Sequence, residues 1–364
     1  MLLFVSGCGS SGASKDNKQY LYEQLKTLYL WADFVPDGVN TNEYVSDEAL
    51  LDDLKYKPLD RFSFIMDKDV YSQQVSQTDL GDGLRGHYTD GGTFEVYYVL
   101  DNSPAQKAGM QRGDIVLNAY YTDESQTYIR YEFERNGTYY SVTLTLEPYE
   151  YPVVHTDLFE REGQTIGYLR YDQFTSTSYD NIEKAFDGFS LAGIDELVLD
   201  LRYNPGGSIA MASILLDKIA GAAFEGQLQF TLQYNEANQD RNEEGIFEAD
   251  ENSLGQLQRI VVLTTPNTAS ASELVINALR PYIDVVTVGT RTYGKPVGME
   301  IKEYNARLYF LVNFELVNME GVGDYYDGFA PDCPVDDDLS HLLGDPEEAM
   351  TAAALQYLET GACL

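Results

Sequence analysis

The stretch "TTPNTASASELVINAL", Thr264 to Leu279, joins two kinds of pattern. It overlaps the end of "RIVVLTT", a short β-branched run of strand type, while "SELVINAL" carries apolar residues at helical spacing. A Pro-Asn turn separates them, so the stretch reads strand, turn, helix. Three hydroxyl residues, Thr268, Ser270 and Ser272, alternate just before the helix. Ser270 and Glu273 fit the Ser-x-x-Glu capping box, which closes a helix start reciprocally. A helix start is also where free backbone amides stabilise a developing oxyanion. Ser270 is therefore a candidate cap and a candidate nucleophile.

The strand–turn–helix unit recurs outward from this point. Upstream, "TIGYLRYDQF" reads as a strand and "SYDNIEKAFDGFSLAG" as a helix closed by Gly193. "ELVLDLRYN" is the next strand, followed by "SIAMASILLDKIAG", a helix closed by Gly221. Downstream, "DVVTVGT" is a further strand. Repeated βα units predict an α/β core, a mostly parallel sheet flanked by helices, with its ligands beyond the C-terminal ends of the strands. The polar run Asn235 to Gln256 reads as a solvated surface excursion. At the end, "GDPEEAMTAAALQYLETG" predicts a helix with Asp345 as cap, Pro346 at the first position and Gly361 as stop.

Ahead of this core the pattern differs. Residues 16–75 read as a helical lead-in, with one helix over Asn17 to Phe34 and a second capped by Ser46. Residues 76–149 read as a separate module. It contains "DNSPAQKAGMQRGDIVL" and then a hairpin turning at Asn136-Gly137. The string "SPAxxAGxxxGDxI" resembles the PDZ domain, which holds a peptide as an added strand. That resemblance places a carboxylate cradle near Gly81 to Gly86. Residues 150–364 complete the chain as the α/β core.

Composition narrows the partners. The chain has 364 residues, 44% hydrophobic and 23% charged, enough for a large core. A net charge of −35 argues against nucleic acid and against electrostatic docking on anionic lipid. Three scattered histidines and three cysteines without a CxxC pair argue against a metal site, and no motif calls for a cofactor. Cys333 and Cys363 are a candidate disulfide in an exported protein. The N-terminal "MLLFVSGCGSSGAS" resembles a lipoprotein lipobox, with Cys8 as the lipidation site and residues 1–15 as signal remnant and linker. Only seven residues precede Cys8, and no basic segment is among them. An anchor at Cys8 is the expected membrane contact. Oligomeric state is not legible.

A nucleophilic serine needs a base. No histidine stands in a motif, whereas Lys295 in "GTRTYGKPVG" directly follows the next strand. Lysine must be neutral to act, and unperturbed only about 1 in 2,500 is neutral at pH 7. Burial among Tyr293, Pro296 and Val297 would lower that barrier. In "LVLDLRYNPGGSIAMA" the two glycines allow close backbone approach. The amides of Gly206 or Gly207 with that of Ala271 are candidate oxyanion donors. A capped helix, a surface lysine and a tight turn are the plain readings of the three segments taken singly.

Taken together, "LVLDLRYNPGG", "TASASELVINAL" and "GTRTYGK" resemble the C-terminal processing peptidases, or tail-specific proteases. The resemblance implies a serine peptidase with Ser270 as nucleophile, Lys295 as general base 25 positions on, and a PDZ domain ahead of the core. It also implies a protein or peptide substrate and a location in the cell envelope. Many members carry a glutamine four residues after the lysine to orient it; here that position is Met299, a poor acceptor for an ammonium. Glu300 and Glu315 are possible substitutes. The "GKPVG" form resembles a Bacteroidetes-like lipoprotein branch. Two alternatives stay open: a catalytically inactive peptide- or ligand-binding protein, and an esterase using the same dyad.

Overall fold

The computed structural model describes residues 16–75, 78–79, 81–89, 91–250 and 252–363, so Cys8 lies outside the described residues. The fold is mixed α/β and divides into two compact bodies. Of the described residues, the smaller comprises 16–68, Tyr234–Gln239 and Met299–Phe314. The lead-in is not all helix. Its first helix, Asn17–Thr27, stops short of the expected Phe34, and Ala32–Phe34 forms a 3₁₀ turn instead. Trp31 thus packs edge-on against Tyr29 from a loop. Ser46 caps Asp47–Leu54 as expected, accepting from Ala49 N at 3.2 Å. Strand Phe64–Asp67 then pairs antiparallel with residues 307–310. Tyr309 donates to Asp47 at 2.8 Å, and Tyr20 stacks on Tyr304 at 4.2 Å, holding helix and hairpin together.

The larger body holds the module and the rest of the core. In the module, five antiparallel strands follow chain order, from Leu84–Tyr88 to Thr138–Thr145. Ser103 caps the short helix Pro104–Lys107, accepting from Gln106 N at 3.1 Å. Gly113 turns at φ +83 into the strand Ile115–Tyr121. Asp114, fully buried, receives Arg135 Nε at 2.6 Å and Nη2 at 2.8 Å. Leu84, Val96, Ala105, Met110, Phe133 and Leu144 fill the space between helix and sheet.

The core sheet has six strands, ordered from Cys333–Pro334 through Asp284–Gly289, Arg259–Thr264, Glu196–Asp200 and Gln164–Tyr171 to Val154–Arg161. All its pairings are parallel except the last, as the repeated βα units require. Gly193 closes helix Tyr179–Ala192 at φ +66. Gly221 does not close its helix: Ile209–Leu216 runs into a π-helical segment, Asp217–Gly221, and on through Phe224. The run after Asn235 is not wholly irregular, since it contains the 3₁₀ segment Glu236–Arg241 and strand Glu243–Ile246. The last helix begins at Ala349 rather than at Pro346, capped by Glu348 instead of Asp345. Glu348 is held in place by the fully buried Arg202, whose Nη2 reaches it at 2.9 Å. Among the described residues, no helix is long and apolar enough to cross a membrane.

Cys333 and Cys363 are joined, with Cα atoms 5.3 Å apart. The bond ties the edge strand to the end of the last helix, whose Met350, Ala354 and Leu358 pack on the sheet. Closing a loop of this size is worth about 2–4 kcal/mol. Reduction, or Cys363→Ser, should lower stability to urea by that amount. Identical urea midpoints with and without reductant would show that the bond does not form in solution.

Candidate active site

Three loops meet at the C-terminal ends of neighbouring parallel strands: residues 201–207, 264–273 and 290–295. Backbone bonds lace them together. Ala269 N donates to Asn204 O at 3.1 Å, Tyr293 N to Thr268 O at 3.0 Å, and Thr290 N to Thr264 O at 2.9 Å. The alternating hydroxyls then separate by role. Thr268 Oγ1 donates to Leu201 O at 2.8 Å, and Ser272 Oγ to Asn204 O at 3.0 Å. Both residues are fully buried. They fasten the loop that carries Ser270 to the end of the adjoining strand.

Ser270 stands between them, half-buried. Its backbone lies at φ +58, ψ −116, a conformation a residue with a Cβ rarely adopts. Such a strained strand-to-helix turn places a side chain at the helix start. The helix that follows, Ala271–Leu279, is not amphipathic in its setting, because all nine residues are buried.

Glu273 joins the two halves of the candidate dyad. This fully buried carboxylate accepts from Ser270 N at 3.0 Å, as a capping box requires. It also accepts from Lys295 N at 2.8 Å, Gly294 N at 2.7 Å and Thr292 Oγ1 at 2.6 Å. Ser270 N and Lys295 N share the same oxygen, Oε2, so the two backbone nitrogens can be no farther apart than two hydrogen-bond lengths. Burial pushes the Glu273 carboxyl above its ordinary value, against the pull of the Thr292 hydroxyl and the three amides. Gly294 is required by this turn: it has φ +86, and a Cβ there would lie 2.3 Å from Tyr326 O. Lys295 is half-buried. Of its expected walls, Pro296 and Val297 are buried, while Tyr293 is exposed.

Gly206 and Gly207 lie at φ +98 and +141. A Cβ on Gly206 would sit 2.8 Å from Ser270 Cβ and 2.9 Å from Ala271 N, so this turn packs directly against Ser270. The two glycines are not equivalent as donors. Gly206 N is bound to Asn204 Oδ1 at 2.9 Å. The amides of Gly207 and Ala271 have no acceptor among the described residues. Asn204, fully buried, also donates from Nδ2 to Tyr171 O at 2.7 Å, which fixes the turn.

Residues 165–335 match the domain of peptidase family S41, and residues 16–64 match the peptidase S41 N-terminal domain. The chain belongs to peptidase family S41. Among curated relatives, it is similar to the carboxyl-terminal-processing protease of Picosynechococcus sp., 30% identical over 226 residues, which covers 56% of this chain and 50% of that protein. It is also similar to the carboxy-terminal processing protease CtpA of Bacillus subtilis, 25% identical over 342 residues, or 84% of this chain and 67% of the relative. A solved structure from Bacteroides fragilis, described as an S41 protease, matches with a TM-score of 0.77 at 26% identity, covering 94% of this chain and 97% of that one. The chain spans about half the length of the first curated relatives it matches.

Met299, the expected orienter position, stands on strand Val297–Tyr304. Of the two substitutes considered, Glu300 receives Tyr234 OH at 2.9 Å and Lys302 Nζ at 2.7 Å. Glu315 receives Tyr326 OH at 3.0 Å. Glu273, Thr292 and Asn204 were not singled out from sequence beyond the cap role of Glu273. Their partners lie up to about seventy positions away in the chain, beyond any local pattern.

Proposed function

We propose that this chain is a serine endopeptidase with a Ser270–Lys295 dyad. The observation that carries the reading is Glu273, whose one carboxylate holds the amides of both Ser270 and Lys295 while the neighbouring hydroxyls are bound elsewhere. In the reaction, neutral Lys295 takes the Ser270 hydroxyl proton as Oγ attacks the scissile carbonyl. The oxyanion forms between the Gly207 and Ala271 amides, where preorganised donors act without reorganisation. Lys295 then gives the proton to the leaving amine, and the C–N bond breaks. Water, deprotonated by the same lysine, releases the acyl group and restores the serine. The sheet module, residues 76–149, is read as a PDZ domain presenting substrate C-termini. The Cys333–Cys363 bond and a lipid anchor at Cys8 fit an exported, envelope-bound protein.

Met299 favours a second reading, a binding protein on the same fold, since it leaves the orienting position without a strong acceptor. A fluorophosphonate probe separates the two. Labelling of the wild type that is absent in Ser270→Ala supports the peptidase. Equal absence from both supports the binding protein.

A further inference from the structure

Beside the candidate site lies a cavity of about 230 Å³ between the module and the core. Two of its walls, Pro205 and Asn267, belong to the oxyanion turn and the nucleophile loop. Four of the others are tyrosines, Tyr97 and Tyr98 from the module and Tyr151 and Tyr203 from the core, with Leu100 and Val153 as apolar neighbours. Tyr97 and Tyr203 stack at 4.6 Å with 29° between their planes. A neighbouring cavity of about 440 Å³ shares Tyr97, Tyr203 and Asn267, and continues along Gly86 and His87 of the module's edge strand. The two form one trough that runs past the nucleophile loop.

We infer that the smaller cavity is a specificity pocket for one aromatic side chain of the substrate, adjacent to the scissile bond. This rests on the peptidase reading and deepens it. The volume suits one ring, since an apolar cavity of about 150 Å³ already takes up benzene. Stacked tyrosines offer the offset faces that rings prefer. The pocket's acid is already satisfied: Asp172 receives Tyr98 OH at 2.8 Å and pairs with Arg170 at 3.1 Å and His155 at 3.3 Å. A lysine or arginine side chain entering here would be desolvated without a fresh counter-charge. Arg85 lines the same cavity, and an acidic side chain is the competing occupant.

The test is a set of otherwise identical internally quenched peptides with Phe, Leu, Ala, Lys or Glu at one position. They are cut by wild type and by Val153→Phe, which fills the pocket from a buried wall. Tyr151→Ala, which widens the pocket, is a second variant in case Val153→Phe does not fold. Active enzyme is counted by fluorophosphonate labelling. The expected kcat/KM for Phe exceeds that for Ala by about 10–200-fold. In Val153→Phe this preference falls to near unity while the Ala peptide is still cut; in Tyr151→Ala it shifts toward bulkier rings such as Trp. Cleavage without a preference for Phe, a preference for Glu, or a Phe preference unchanged in both variants overturns the pocket but leaves the peptidase standing. Failure to cut any peptide removes both.

Discussion

Ser270→Ala and Lys295→Ala each stop the cleavage of an unfolded protein such as casein. Removing the nucleophile costs up to about 10⁶-fold in kcat, as it does for a serine acting with its base as one unit. Removing the base costs about 10²–10⁴-fold. Ser270 keeps a strained backbone that a plain helix cap would not need. Both substitutions leave these hydrogen bonds to Glu273 intact, because they come from the backbone amides of residues 270 and 295. Unchanged thermal stability together with lost cleavage is therefore the expected pair of results. Undiminished cleavage by either variant would remove the dyad assignment.

Glu273→Gln should reduce kcat by about 10²-fold, the loss expected when reacting groups are misplaced by about 1 Å. The carboxylate accepts at both oxygens from four donors. A glutamine keeps one acceptor and sets an NH₂ group against two of those donors, at about 1–3 kcal/mol for each buried group left unpaired. The same logic gives a pH dependence. With its folded value raised by burial, Glu273 contributes stability below the ordinary glutamate range, and that contribution is lost as pH rises through the raised value. Activity runs the other way, because protonating one oxygen displaces a donor from the Ser270 or Lys295 loop. Wild type should lose kcat reversibly on acidification, above the ordinary glutamate range, while circular dichroism stays native. A variant with wild-type kcat, or an activity loss that coincides with unfolding, would refute this role.

The course of the fold was legible where its cause is local. Ser46 and Ser103 cap helices, Gly193 ends one, and Asn136-Gly137 turns a hairpin, because each acts on residues within four positions. The parallel core followed from the repeated strand–helix rhythm. Most of the failures come from partners that lie outside the local pattern. Asp345 has the pattern of a cap, yet Glu348 takes that place because Arg202, far upstream, holds its carboxylate. Gly221 looks like a stop, yet the helix continues through it in π geometry. Glu273 was legible as a cap for Ser270, while its three other partners come from a different loop. Gly206 and Gly207 looked interchangeable until the Asn204 side chain took one of their amides.

Loops ordinarily exchange their amide protons quickly, because they open without disturbing the core. The amides of Ser270, Gly294 and Lys295 are an exception, since their shared acceptor sits on a helix with every residue buried. Freeing any of them means disturbing the centre of the core sheet's packing. These loop amides should therefore be protected like strand amides and released only with global unfolding. A chain built this way carries Ser270 and Lys295 on segments that do not open far enough to be threaded into a neighbouring copy's cleft.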